Sequence, residues 1–417
     1  MRSERALPGV LGGFDLTDQT GFAGFPYELF ARLRREAPVL LHPPGCTADG
    51  EDFWVLSRHE DIAAAAANPA LSSETGGDRS GGGTHLDDMP FGDAAGVVLA
   101  MMDDPRHELI KRALAPAMTG TAVAELEERL RPYIEGLVDD AIGRERCDFV
   151  TDVTEKLALH SMALLLGTPE RDRELLARWG RETLGMVDRR TGAVDERSWA
   201  NMEALSRYCY EAVAERKGCP GFGLGDLLIG GDIPTDQGQE PLSDIERAEN
   251  LTLLQITGLE QPRNIIAGGV AAFAQHPGQW QALRSDRSLL PGAVEEVLRW
   301  TPANPYNRRT ATRDLELSGK LIRRGDKVTL WWASANRDEA VFDDPMRFDI
   351  QRDPNPHLSF GFGPHFCAGA EIGRMQIRLV LETLLDRVAV IRSAGPVTWG
   401  PNNKHSVLLD VPVHLLP

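Results

Sequence analysis

The sequence predicts a mainly α-helical protein with small β-sheets, an α+β fold whose strands gather in one corner. Three observations carry that expectation. Apolar residues recur at helical spacing through most of the stretch from Asp104 to about Ala274. Alternating, strand-like runs are few and short, and they lie nearer the two ends of the chain. Composition does not shift along the 417 residues, so 1–417 reads as one large domain, with 1–13 as a flexible N-terminus.

In chain order, PYELFARLRREAP is a short amphipathic helix stopped by proline. VLLHPP and DFWVLSR form a strand pair, and RHEDIAAAAANP is the next helix. SSETGGDRSGGGTHLDD, rich in Gly and Ser, reads as a mobile surface loop. Long helices follow, the last of them starting at Ser243 and apolar in its middle. PGAVEEVLRWT is helical, and DLELSGKLI and DKVTLWWAS are two strand-like runs joined by turn residues. AEIGRMQIRLVLETLLDRV returns to helix, and SVLLDVPVHLLP alternates like a strand.

With 42% hydrophobic residues the chain can bury a large core, yet no apolar run approaches the roughly 20 residues that span a bilayer. The start, MRSERALPGVLGGFDL, has no signal-peptide pattern, so a cytoplasmic protein without a membrane partner is expected. A net charge of −17 argues against a nucleic-acid partner. Five widely spaced cysteines make neither a disulfide framework nor a CxxC zinc site.

The most informative stretch is FGFGPHFCAG, Phe360 to Gly369, followed by a helix. It is a glycine-rich turn that delivers one cysteine to a helix start, where N–H groups and the dipole favour a thiolate. Gly363 permits backbone angles closed to other residues, and Gly369 leaves no Cβ between backbone and a flat ligand. His365 can donate to an anion beside the sulfur, and Phe360 can shield it from water. Two plainer readings stay open from the residues alone: a phosphate-cradling loop, or a cysteine that is merely a small buried hydrophobe.

The segment resembles the heme-binding signature of the cytochrome P-450 family, FxxGxxxCxG, at every fixed position. The resemblance implies heme b, with Cys367 as the metal ligand and axial thiolate, His365 on a propionate, and Phe360 and Gly369 beside the ring. A thiolate ligand favours O–O cleavage. Further landmarks extend the likeness from about residue 14 to the C-terminus. Glu296-Val-Leu-Arg299 puts two charges on one helix face, and Arg347 in Pro345-Met-Arg-Phe348 falls where the family places a third, structural partner. Arg309 matches a second propionate partner. Asp104-Pro-Arg-His107-Glu-Leu-Ile-Lys111 resembles the helix giving a histidine and an arginine, with Lys111 in the arginine's place as a point charge without the fork.

The sequence departs from the family in the long helix. Where the family has Ala/Gly-Gly-x-Asp/Glu-Thr-Thr, this chain reads Thr257-Gly258-Leu259-Glu260-Gln261-Pro262. Pro262 has no N–H, so the Gly258 carbonyl four residues back loses its helical donor. Thr257, Gly258, Glu260 and Gln261 are the candidate catalytic residues, Glu260 as a proton conduit or else as the ion-pair partner of Arg263 or another cation.

Candidate substrate contacts are Leu254, Asn304, Tyr306 and Asn403, whose polar members suggest a medium-sized natural-product intermediate. The expected activity is O2-dependent monooxygenation, as hydroxylation or oxidative coupling. By the resemblance, electrons come from a ferredoxin and a separate NAD(P)H-dependent ferredoxin reductase. The ferredoxin would dock on a face carrying Arg106, Lys111, Arg112, Arg352, Arg374 and Arg378, and the enzyme would work as a monomer. The alternatives are a peroxide-driven peroxygenase or other non-hydroxylating heme enzyme, and, from another class, a heme sensor or silent scaffold. The intact Cys367 turn speaks against the scaffold.

Overall fold

The computed structural model describes residues 7–90, 92, 94–184, 187–193, 195–216, 223–230 and 242–417. Its organising element is the long helix Asp244–Gln275. Ser243 begins it with a reciprocal cap, accepting from the Glu246 backbone while Glu246 reaches back to the Ser243 backbone. The second half of the helix is buried on all sides, from Arg263 to Phe273. Small residues make that possible. A Cβ on Gly268 would lie 2.4 Å from Thr301, and one on Gly269 would lie 2.7 Å from Val297, so the helix Leu290–Trp300 packs directly on the backbone. The helices Glu155–Leu166, Glu196–Arg216 and Ala370–Arg387 complete the surround.

Most strands form the expected corner. The five-stranded sheet runs Val39–His42, Phe53–Leu56, Lys327–Leu330, Asn307–Ala311, Leu71–Ser72, with only Phe53–Leu56 and Lys327–Leu330 parallel. The strand pair VLLH/FWVL forms as expected. The two later runs do not form one strand each. DLELSGKLI folds on itself, with Leu315–Leu317 against Lys320–Ile322, because Ser318 and Gly319 both adopt positive φ. DKVTLWWAS gives a strand to Leu330 and then a short helix, Trp332–Ala335. The C-terminal run is likewise two strands, Leu408–Asp410 and Pro412–Leu416.

Two stretches expected to be mobile contain buried residues. Residues 1–6 lie outside the described residues; within 7–13, Leu11 is buried in a cluster with Leu16, Phe22 and Phe30, while Gly9, Gly12 and Gly13 are exposed. The Gly/Ser-rich stretch is also not a free surface loop. Ser72, Ser73 and Gly81 to Thr84 are buried, and Gly81–Gly82 pairs with Met89–Pro90. Its glycines are there for close approach, since a Cβ on Gly82 would sit 1.7 Å from the Glu74 carbonyl oxygen. No helix among the described residues is long and apolar enough to cross a membrane.

Candidate active site

The Cys367 turn is built as its glycines require. Gly361 and Gly363 have φ of 74° and 72°, and the Cys367 N–H donates to the Phe360 carbonyl at 2.9 Å. Gly369 then caps the helix Ala370–Arg387. Cys367 opens onto a cavity of about 310 Å³ shared with the long helix, which contributes Leu254, Thr257, Gly258, Gln261, Pro262 and Ile265. A Cβ on Gly369 would meet nothing within 4 Å, so this wall is flat and open. Arg374 lies 4.8 Å over the Phe360 ring. The expected acidification of the thiol does not prevail: burial pushes Cys367 up, against the Gly369 N–H, Lys111 and Arg374. A coordinated metal cation supplies the charge that holds such a thiol deprotonated.

Basic side chains gather beside the thiol. His107 and His365 stack with ring centroids 4.1 Å apart. His107 is held by Asp104 at 2.9 Å, and His365 by the Ser73 hydroxyl at 2.9 Å. Burial, then Arg309, His107 and Lys111, drive His365 down to about 2. Lys111 Nζ donates to the carbonyls of Pro364 and Phe366 at 2.6 and 2.7 Å. Arg309 is buried just behind the cavity wall, donates to the Arg308 carbonyl at 3.1 Å, and is lowered by burial to about 10. One thiol, a flat glycine wall, the cations Lys111 and Arg309 and two imidazoles able to donate fit an iron porphyrin carrying two carboxylates. The sequence pointed to His107, Lys111, Arg309 and His365. It missed Ser73, which lies in the stretch read as a loop.

Glu296 and Arg299 form a fully buried pair at 2.7 Å. Arg347 is not its third member. That side chain is 60% exposed and 3.7 Å from Asp349, and only its carbonyl accepts from Arg299. Arg352 takes the place instead, buried with Nε 3.4 Å from Glu296. The chain turns between Pro345 and Asp349, so a position five residues further on reaches back into the cluster.

In the long helix the candidates separate. Thr257, Gly258 and Gln261 line the cavity; Glu260 points elsewhere. It is buried in a two-pronged ion pair with Arg189 at 2.7 and 2.5 Å, with Asn264 at 2.5 Å and Arg263 at 3.9 Å. Against the burial penalty, Arg189 draws its carboxyl down to about 2. The ion-pair alternative therefore replaces the conduit, because the carboxylate has no face on the cavity. Gly258 is glycine because Met162 lies on it: a Cβ there would be 2.0 Å from the thioether sulfur.

Of the substrate candidates, Leu254 and Asn304 line the cavity. Tyr306 and Asn403 do not. Tyr306 is buried against Trp331, and Asn403 donates to the Leu16 carbonyl at 3.0 Å. The walls are mostly hydrocarbon, with Leu99, Met118, Met162 and Leu165 opposite the helix. On the expected docking face the arginines are paired: Arg106 with Glu246, Arg112 with Glu108, Arg374 with Glu295, and Arg378 with Glu127 and Glu382.

Comparison with known proteins places this geometry. A sequence profile described as Cytochrome P450 matches residues 272–410. Cytochrome P450 126 of Mycobacterium tuberculosis is 40% identical over 409 residues, covering 97% of this chain and 98% of that protein. A steroid C26-monooxygenase of Rhodococcus jostii is 34% identical, covering 94% and 82%. The structure of a Mycobacterium marinum cytochrome P450 in complex with pseudoionone superposes with a TM-score of 0.85 at 29% identity, over 99% of both chains. With a cysteine turn, a cationic cradle and relatives matched along nearly its whole length, this chain belongs to the cytochrome P450 family and is a heme-dependent monooxygenase.

Proposed function

We propose that the enzyme oxidises a medium-sized, largely hydrocarbon natural product, using O2 and electrons from a ferredoxin served by an NAD(P)H-dependent reductase. The observation that carries the substrate class is the cavity beside Cys367, walled largely by Leu, Met and Ile side chains, with Thr257, Gln261, Asn304 and Gln376 as polar residues and His107, Lys111 and His365 near the thiol. Burying such a ligand is favourable at about 25 cal/mol per Å² of apolar surface. Two similar proteins point the same way, one named for a steroid and one bound to pseudoionone. The peroxide-driven alternative calls for a cation just ahead of Pro262, where this chain has Gln261.

In this reading Cys367 would ligate the heme iron, His107, Lys111, Arg309 and His365 would hold the propionates, and Phe360 and Gly369 would lie beside the group. Bound heme supplies the iron at which O2 is reduced and one oxygen atom is passed to the substrate. The protein's own part is to keep water out with the hydrocarbon walls and to aim the substrate with the few polar groups. Thr257 gives its hydroxyl proton to the Leu253 carbonyl at 2.8 Å and so presents only an acceptor to the cavity. The test is a reduced carbon monoxide spectrum with the long-wavelength thiolate band, lost in Cys367→Ser. It is joined by turnover of terpenoid and steroid panels with a ferredoxin system. Turnover with peroxide and with no ferredoxin would overturn the electron-donor assignment.

A further inference from the structure

Two of the cavity's polar residues, Gln261 and Asn304, belong to one hydrogen-bonded cluster that includes a residue from the far end of the chain. Gln261 Nε2 lies 3.2 Å from Asn304 Oδ1 and 3.3 Å from His405 Nδ1. The three come from the long helix, from the segment after the helix Leu290–Trp300, and from the turn before the strand Leu408–Asp410. Burial, helped by Lys404, holds His405 down to about 4, so its imidazole is neutral and one ring nitrogen is an acceptor. Lys404 itself is spent, with Nζ donating to the carbonyls of Thr84 and Tyr306 and to Asn307 Oδ1. Both protons of the Gln261 amide are thereby directed at acceptors, Asn304 Oδ1 and His405 Nδ1. That orients Gln261 Oε1 the other way, and this oxygen is buried with no partner among the described residues. With its oxygen engaged, Asn304 keeps its own amide N–H groups as donors on the cavity wall.

An unpartnered buried acceptor beside a spare donor is an incomplete hydrogen-bond pair in a hydrocarbon cavity. Leaving it unfilled is unfavourable, because each buried polar group has given up water without gaining a partner. A hydroxyl is the group that completes both halves: it donates to one and accepts from the other. A ketone completes only the donor half, and a hydrocarbon neither.

We propose that Gln261 and Asn304 form an anchor for a hydroxyl group on the substrate, with His405 as the positioning residue that fixes the Gln261 amide. The inference rests on the proposed hydrocarbon-rich substrate class and narrows it to alcohols.

The test titrates the heme-loaded enzyme with three rigid probes of one skeleton, 1-adamantanol, 2-adamantanone and adamantane, following the change in the heme absorption band on binding. The wild-type protein should bind the alcohol about tenfold more tightly than the hydrocarbon, the worth of one well-formed buried hydrogen bond, with the ketone between them. Gln261→Leu should bring the alcohol down to the ketone or below, while adamantane binds at least as well as before. Asn304→Leu should remove the ketone's advantage, and His405→Leu should narrow the alcohol's lead without changing adamantane. Equal affinities for the three probes in the wild-type enzyme overturn the anchor while leaving the substrate class standing, and they do so whether or not the variants fold. An alcohol preference that survives both Gln261→Leu and Asn304→Leu overturns it too. If none of the three probes shifts the band, the hydrocarbon-cavity reading fails and takes the anchor with it.

Discussion

Glu260 shows how one residue's role is decided by which way its side chain leaves a helix. A carboxylate next to the oxygen-binding groove suggests proton traffic, but here two arginines and Asn264 enclose it. Its carboxyl is held near 2, below an ordinary value of 4.5, so the pair's contribution is present above about pH 4.5 and is lost as pH falls toward 2. Glu260→Gln should therefore flatten the acid limb of the stability curve. It should also cost about 3–5 kcal/mol at neutral pH, because Arg189 and Arg263 are left buried without their shared anion. Denaturant unfolding of both proteins between pH 2 and pH 7, a range set by that shift, measures both effects. A variant that is fully stable but fails to couple electron use to product would return Glu260 to the proton path. The sequence held both readings open at this position, since spacing along a helix does not reveal that Arg189, 71 residues earlier, closes over it.

At the scale of elements, the long helix and the segment after Pro345 make two contrasting cases. The helix was legible from its start at Ser243 and its apolar middle, and Pro262 sits inside it without ending it. Packing on both flanks outweighs a proline cost of roughly 3 kcal/mol. Pro262→Ala should recover part of that cost, raising the unfolding midpoint, and should return a donor to the Gly258 carbonyl. The accompanying expectation is an altered fraction of electrons lost as peroxide, read by an oxygen-to-product ratio; a ratio equal to wild type would make the proline a tolerated irregularity. The segment after Pro345 misled, because matching a motif by distance along the chain cannot foresee a turn. Arg347→Ala should change stability by no more than about 0.5 kcal/mol, as expected of an exposed side chain. Arg352→Ala should give heme-poor protein that unfolds early, seen in the ratio of heme to protein absorbance. The reverse ranking would restore Arg347 to the cluster. Strand runs were misjudged for a similar reason: Ser318 and Gly319 lie within a run read as strand-like and are the turn inside a hairpin.

At the scale of the whole molecule, charge is both abundant and locally cancelled. The chain carries −17, yet the arginines around the thiolate face are each tied to a carboxylate. A field already cancelled at the surface gives little steering, so electron transfer from an acidic ferredoxin should depend only weakly on ionic strength. A rate that falls steeply as salt is added, measured under saturating substrate, would show that these pairs open on docking. Fold class, the Cys367 turn and the cationic cradle were all legible, because each is written in a short contiguous pattern. What was hidden was assembled from distant segments: Ser73 on His365, Arg189 on Glu260, His405 on Gln261. The Gly/Ser-rich tract carries a practical consequence for anyone engineering the enzyme. By composition it is the obvious place to splice in a tag, a linker or a new terminus, yet Gly76, Gly81 and Gly82 have no room for a single extra carbon, and Ser73 touches the histidine of the thiolate turn. The stretch that looks most expendable on paper is among the least editable parts of the protein.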